Sequence, residues 1–94
     1  MTLSKLRSVS QQASRKRNWS ETQRFIDSEV EEQFRDLARC TVPFYIAGEI
    51  ANLPTSEERH AWLNSIPDDC YPAHAKDLIT MGAKRIYREL RKRR

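Results

Sequence analysis

Four side chains in this 94-residue sequence are of the types that bind zinc: Cys40, His60, Cys70 and His74. Cys70 and His74 stand four residues apart, as the paired ligands of a zinc module do, but Cys40 and His60 are 20 residues apart. Structural zinc modules usually present two close ligand pairs. We therefore expect no metal site, and we expect both cysteines to be free, buried thiols.

Asp68 and Asp69 precede His74, and together they offer groups that exchange protons. No nucleophile motif, HExxH helix or glycine-rich phosphate loop accompanies them, and the chain has only two glycines, Gly48 and Gly82. We interpret the two aspartates as residues that form a turn and cap the following helix. The sequence predicts no catalytic residue, no cofactor and no enzymatic activity.

Charge is distributed unevenly along the chain. Residues 1–20 carry five basic groups and no acidic one, residues 21–75 carry four basic and eleven acidic groups, and residues 76–94 carry eight basic and two acidic groups. The three segments thus have net charges of +5, −7 and +6, which sum to +4. Such basic ends attract phosphate or an acidic protein surface, and the acidic middle attracts basic surfaces or the chain's own ends.

The basic run at the end of the chain is the first candidate binding site. Ile79, Ala83, Ile86 and Leu90 predict an apolar stripe on the last helix. The cations fall on the outer surface opposite that stripe, at Lys84, Arg85, Arg88, Arg91 and Lys92. Such a face binds a phosphate backbone, an acidic protein or an anionic membrane surface, or it is only solvated and favours the helix C-terminus. The sequence leaves these interpretations open.

A second basic cluster, Arg15, Lys16 and Arg17, stands close to Trp19. An aromatic ring beside cations is typical of proteins that stack on bases. A tryptophan just ahead of a helix also packs back on the first turn, and we favour this core position for Trp19. We include the three cations among the candidate partner-binding or nucleic-acid-binding residues.

Helical periodicity appears throughout the chain, and no apolar alternation of period two predicts a strand. We expect an all-α fold: a basic arm over residues 1–19 with a conditional helix, followed by one domain of about four helices over residues 20–94. Pro43, Pro54 and Pro67 separate the predicted helices, which cover residues 20–40, 43–53, 55–66 and 75 onward. Capping boxes begin at Ser20 and Thr55. We expect the aromatic residues near the proline breaks to be in the core: Phe44, Tyr45, Trp62 and Tyr71.

No stretch of the sequence has the length and apolar composition of a signal peptide or a membrane span. We therefore expect a cytoplasmic protein, in the host cell if a phage encodes it.

Residues 49–66 read EIANLPTSEERHAWLNSI: a helix, a Leu-Pro break and a second helix with acidic and arginine residues. This pattern resembles that of many small proteins encoded by phages, prophages and mobile elements, and it covers about a fifth of the chain. The resemblance implies an accessory role, such as regulating replication, recombination or transcription, or redirecting a host enzyme. It carries no functional residue over to this chain.

Two functions compete on the sequence alone. In the first, which we favour, the chain is an accessory or modulator protein that binds a host or partner protein complex, with complexes acting on DNA as leading candidates. In the second, it binds nucleic acid directly through Lys84, Arg85, Arg88 and Arg91. A helix-turn-helix across Pro54 is a poor alternative because its second helix begins with acidic residues. The oligomeric state is left open.

Overall fold

The structure, a computed structural model, describes residues 1–93, and these residues form helices and connecting turns without strands. This confirms the all-helical fold class. A 3₁₀ turn at Glu32–Phe34 precedes the third of five helices: α1 Leu3–Ser14, α2 Trp19–Glu29, α3 Arg35–Ala51, α4 Ser56–Asn64 and α5 Ala75–Lys92. None of the helices in the described part has the length and apolar character required to cross a membrane. Arg94, the last residue of the basic run, lies outside the described residues.

Helix α3 is the central element, since it contacts each of the other four helices. Val42, Ile46 and Ile50 follow one another at intervals of four residues, and each is at most 1% exposed. This spacing places them on one side of the helix. Trp62 of α4 and Ile79 of α5 join the same buried cluster. The core is therefore built around one face of α3.

Helix α1 lies within the predicted N-terminal arm and packs against α2 and α3, and its formation only on binding stays a prediction. Leu6, Val9 and Ala13 form its buried stripe. Ser10 and Ser14 are also fully buried, and their hydroxyls donate hydrogen bonds to the Leu6 and Gln11 carbonyls. Serines lower the intrinsic helix propensity. Here their small volume suits a helix interface, and the local hydrogen bonds satisfy their polar groups.

Two buried side chains, Thr22 and Trp19, stabilise the connection from α1 to α2. The Thr22 hydroxyl donates a 2.8 Å hydrogen bond to the Ala13 carbonyl. Trp19 is 6% exposed, which confirms its expected place in the core. Asn18 is the N-cap of α2, where its side chain accepts a hydrogen bond from the Glu21 amide, so the capping box expected at Ser20 was wrong.

The single helix predicted over residues 20–40 was also wrong, because the chain turns at Val30. The backbone of Val30 is extended, and its side chain is buried at 2% exposure. The Arg35 guanidinium donates hydrogen bonds to the carbonyls of Val30 and Asp27. These bonds satisfy backbone groups that the end of α2 leaves without helical partners. The apolar spacing continues across the break, which is why periodicity alone missed it.

Pro43 lies inside α3 and does not separate two helices, contrary to the prediction. A proline has no N–H to donate, and in a helix interior it costs about 3 kcal/mol. Both halves of α3 nevertheless bury apolar side chains in the same core, with Ala38 and Val42 before or beside the proline and Ile46 and Ile50 after it. Burial of each of the larger ones contributes about 1.5 to 3 kcal/mol. Core packing therefore outweighs the local penalty.

The turns around α4 agree better with the sequence. Thr55 is the N-cap of α4 and accepts a 3.2 Å hydrogen bond from the Glu58 amide, as the capping box predicts. His74 is the N-cap position of α5, so neither aspartate of the preceding turn caps that helix. Asp68 instead accepts a 2.8 Å hydrogen bond from Lys76 Nζ. That hydrogen bond and the lysine charge lower the pKa of the Asp68 carboxyl from its ordinary value.

The aromatic residues near the prolines do not share one environment. Trp62 is 1% exposed and Tyr45 is partly buried, but Phe44 is 68% exposed and Tyr71 is 58% exposed. The expectation that all four lie in the core was therefore wrong for Phe44 and Tyr71. The inward side of α3 is already occupied by Val42 and Ile46, and Phe44 falls on the other side of the helix.

The two glycines of the chain differ in how closely a neighbouring helix approaches them. A Cβ at Gly48 would meet no atom within 4 Å, so Gly48→Ala is expected to stabilise the protein by about 0.5 to 1 kcal/mol through helix propensity. A Cβ at Gly82 would lie 3.1 Å from the Ala47 Cβ. Gly82→Leu is expected to destabilise by about 1 to 3 kcal/mol because it overpacks this contact. Urea unfolding of both variants measures the difference, and equal effects would contradict the close approach of α3 and α5.

Candidate functional interface

A groove of about 510 Å³ lies between α3 and α5 and is open to solvent. Three large apolar side chains on its walls are well exposed: Phe44 at 68%, Leu78 at 50% and Met81 at 70%. Three exposed cations also line the groove: Lys84, Arg85 and Arg88. We call this surface, defined by these six residues, the α3–α5 groove.

The groove exists because small residues bring α3 and α5 together beneath it. Ala47 and Gly82 both line the groove, and a Cβ added to Gly82 would crowd the Ala47 methyl at 3.1 Å. Phe44 stands three residues before Ala47, and Met81 directly precedes Gly82. Both side chains lie at the surface beside this contact, with much of their apolar area in water.

Helix α5 has two distinct faces. Ala75, Ile79 and Ala83 form its buried face. A second face is exposed and follows the helical spacing i, i+3, i+7 and i+10, with Leu78 and Met81 followed by Arg85 and Arg88. At 1.5 Å per residue it extends about 15 Å, and it changes from apolar to basic along its length. This graded face forms one wall of the groove.

Electrostatics set the groove apart from the rest of the basic surface. Lys84, Arg85 and Arg88 form no salt bridge with any residue in the range 1–93. Of the residues that the structure describes, no aspartate or glutamate lines the groove. The groove cations therefore have no direct ionic partner in the described part of the chain, and the exposed acids of α5, Asp77 and Glu89, lie outside the groove lining.

The other two cations predicted on α5 point elsewhere. The Arg91 guanidinium lies 5.8 Å from the centre of the Tyr87 ring, and Arg59 lies 4.7 Å from the same ring. These three residues border a separate pocket of about 330 Å³ beside the turn after α3. Lys92 pairs with Glu89 at 3.4 Å. The structure therefore places only three of the five predicted cations of α5 in the groove.

The N-terminal cluster is directed towards the chain's own surface. Arg15 lies 3.4 Å from Glu49, and Arg17 lies 4.0 Å from Glu58. Lys16 Nζ lies 4.6 Å from the centre of the Phe25 ring. These exposed pairs contribute little to stability. They do show the basic start of the chain meeting its acidic middle, and none of the three cations lines the α3–α5 groove.

The cysteines and histidines do not converge. Cys70 is buried, as expected, but Cys40 is exposed on α3, so the prediction of two buried thiols was wrong for Cys40. Among residues 1–93, no three side chains of the His, Cys, Asp and Glu types are grouped as a metal ion requires. The metal content of the protein stays a prediction.

Comparisons with known proteins add no relative. No family model matches this chain, and no curated protein or solved structure is significantly similar to it. Interpretation of the groove therefore depends on its own geometry and chemistry.

From the sequence, helical spacing predicts Lys84, Arg85 and Arg88 on the outer surface of the last helix, and no binding role was predicted for Leu78 or Met81. Helical spacing contains a usable signal, since Leu78 and Met81 both fall off the buried Ala75, Ile79 and Ala83 stripe. The exposure of Phe44 could not be predicted from spacing in the same way, because it depends on α3 continuing through Pro43.

Proposed function

We propose that this chain is a non-enzymatic accessory or modulator protein that binds a partner protein through the α3–α5 groove. The observation that carries the proposal is the exposure of Phe44, Leu78 and Met81 beside Lys84, Arg85 and Arg88. Aromatic residues, methionine and arginine are enriched at protein interfaces, where a few of them supply most of the binding energy. Among candidate partners, we favour a host complex that acts on DNA, in the cytoplasm of the cell where the chain is made.

Direct binding of nucleic acid is the alternative, through Lys84, Arg85, Arg88 and Arg91, with the N-terminal cations as an arm. Each phosphate contact needs a free cation on an accessible surface. Two of the N-terminal arginines already face Glu49 and Glu58. A phosphate backbone also leaves no role for three exposed apolar side chains in the same groove. These features favour a protein partner.

Salt dependence separates the two functions. We expect weak binding of duplex and single-stranded oligonucleotides in fluorescence anisotropy titrations between low and moderate salt. Affinity for a protein partner is expected to fall only slightly over the same range, because exposed charges at the edge of an interface mainly affect the association rate. Contact with about four phosphates would instead give a slope of log affinity against log salt of about −3.6.

Two variants test where the partner binds: one removes four cations from α5, and the other removes three cations near the start of the chain. The quadruple Gln variant of Lys84, Arg85, Arg88 and Arg91 is expected to weaken partner binding without changing helicity. The triple Gln variant of Arg15, Lys16 and Arg17 serves as the control and is expected to bind normally. The partner is captured from nuclease-treated host lysate and then tested as a purified protein. A steep salt slope with nucleic acid alone, abolished in the quadruple variant, would establish the alternative.

A further inference from the structure

The exposed face of α5 changes character along its length, and this asymmetry constrains what it binds. Its first part carries Leu78 and Met81, and Phe44 faces it across the groove. Its second part, beginning about one turn later, carries Arg85 and Arg88. A ligand that fits both parts has an apolar end and an anionic end, separated by a short distance along one side.

The dimensions of the groove match a short helix. The face from Leu78 to Arg88 covers about 15 Å, which is close to three helical turns. Side chains at i, i+4 and i+7 of a partner helix cover about 10 Å of that length and lie on one side. A volume of about 510 Å³ accommodates a few large side chains from such a helix. Peptide recognition by a helix laid in an apolar groove follows this arrangement.

The positive charge of the groove favours a partner helix with acidic side chains. Lys84, Arg85 and Arg88 have no salt-bridge partner within residues 1–93, and no acidic side chain lines the groove. Arginine guanidinium groups bind carboxylates with paired hydrogen bonds. Aspartates or glutamates on the partner helix would supply the missing charges, whereas lysines or arginines would be repelled.

We infer that the α3–α5 groove binds an acidic amphipathic helix of a partner protein, with apolar side chains against Phe44, Leu78 and Met81 and carboxylates on Arg85 and Arg88. This inference rests on the proposed function, and it names the kind of partner segment. An anionic membrane fits less well. A helix that lies on a bilayer carries its apolar residues along its whole length, whereas here they occupy one end of a concave surface.

Selection from a displayed library tests the inference. The library presents stable helices with about eight randomised positions on one face, and the immobilised target is the full chain. We expect the enriched helices to carry more aspartate and glutamate than lysine and arginine, with apolar residues at i and i+3 or i+4. Their affinities are then measured as synthetic peptides by fluorescence anisotropy.

Variants of the full chain locate the binding. We expect Met81→Ser, and separately the Arg85→Gln and Arg88→Gln pair, to weaken binding of the selected acidic peptides about tenfold. The matched controls change similar residues outside the groove. Leu3→Ser removes an apolar side chain that is 64% exposed, and the Lys5→Gln and Arg7→Gln pair removes two exposed cations. Both controls are expected to bind like the parent, and circular dichroism checks that every variant is folded.

Several results would overturn the inference: no enriched helix, enriched helices that are neutral or basic, or binding that survives both groove variants. Groove-dependent binding of phosphatidylserine vesicles in place of acidic helices would assign the groove to a membrane surface. If the chain dimerises in sedimentation experiments and Met81→Ser abolishes the dimer, the groove binds a second copy of the chain.

Failure of the acidic-helix inference can be distinguished from failure of the proposed function. If no acidic helix is selected but capture of the lysate partner still requires Met81, only the helix chemistry is wrong.

Discussion

Replacement of Trp62 by alanine is expected to shift the urea unfolding of the protein to a much lower denaturant concentration. Trp62 is 1% exposed and belongs to the cluster of buried residues around α3. Truncation of a buried aromatic side chain to alanine costs about 3 to 5 kcal/mol, because the cavity collapses only partly. A small domain has a total stability of about 5 to 15 kcal/mol. The expected loss is therefore a large part of the total free energy of unfolding.

Urea unfolding followed by circular dichroism measures this loss, and Phe44→Ala is the matched control. Phe44 is 68% exposed, so its truncation is expected to change the free energy of unfolding by about 0.5 kcal/mol or less. The same control variant is expected to weaken partner binding. Equal destabilisation by the two truncations would contradict the placement of Trp62 inside and Phe44 outside.

Deletion of residues 1–14 is expected to abolish cooperative thermal unfolding. The deletion removes α1, whose Leu6 and Val9 are 5% and 7% exposed, and it uncovers the side of α3 against which α1 packs. Each of those two side chains contributes about 1.5 to 3 kcal/mol through burial. The apolar surface uncovered on α3 adds to the loss. A flexible N-terminal arm would have no such effect.

The control for this deletion keeps the helix and removes its solvent-facing charge. The Lys5→Gln and Arg7→Gln pair is exposed on α1 and is expected to melt like the parent protein. Differential scanning calorimetry compares the three proteins. A truncated chain that melts cooperatively near the parent temperature would show that α1 is dispensable, and the interpretation of residues 1–19 as an arm would stand.

Local signals predicted α4 and α5 well because those helices are delimited by local chemistry. The hydroxyl of Thr55 caps α4, and the turn between Pro67 and Pro72 precedes α5. The boundary between α2 and α3 depends on distant contacts instead. It requires Val30 to enter the core and Arg35 to bind carbonyls across the break. Such contacts leave no distinct periodic pattern.

One part of the candidate site could be predicted from local spacing, and the other part depends on contacts between helices. Helical spacing alone places Arg85 and Arg88 on the outer face of α5, and the structure confirms that both are exposed. The groove itself arises only when Ala47 and Gly82 bring two helices into contact. Small residues are common in helices for many reasons, so their role at this contact could not be predicted before the partner helices were known.

Thiol chemistry gives experimental access to this surface. Cys40 is exposed and precedes Phe44 by four residues, so both lie on one side of α3, whereas Cys70 is buried. We therefore expect a maleimide fluorophore to react at Cys40, about one turn from Phe44, without any substitution, and to report binding in the groove. Oxidation of Cys40 would interfere with binding. A disulfide between the Cys40 residues of two molecules would hold the groove side of one molecule against that of the other and block both grooves, so binding measurements require a reductant.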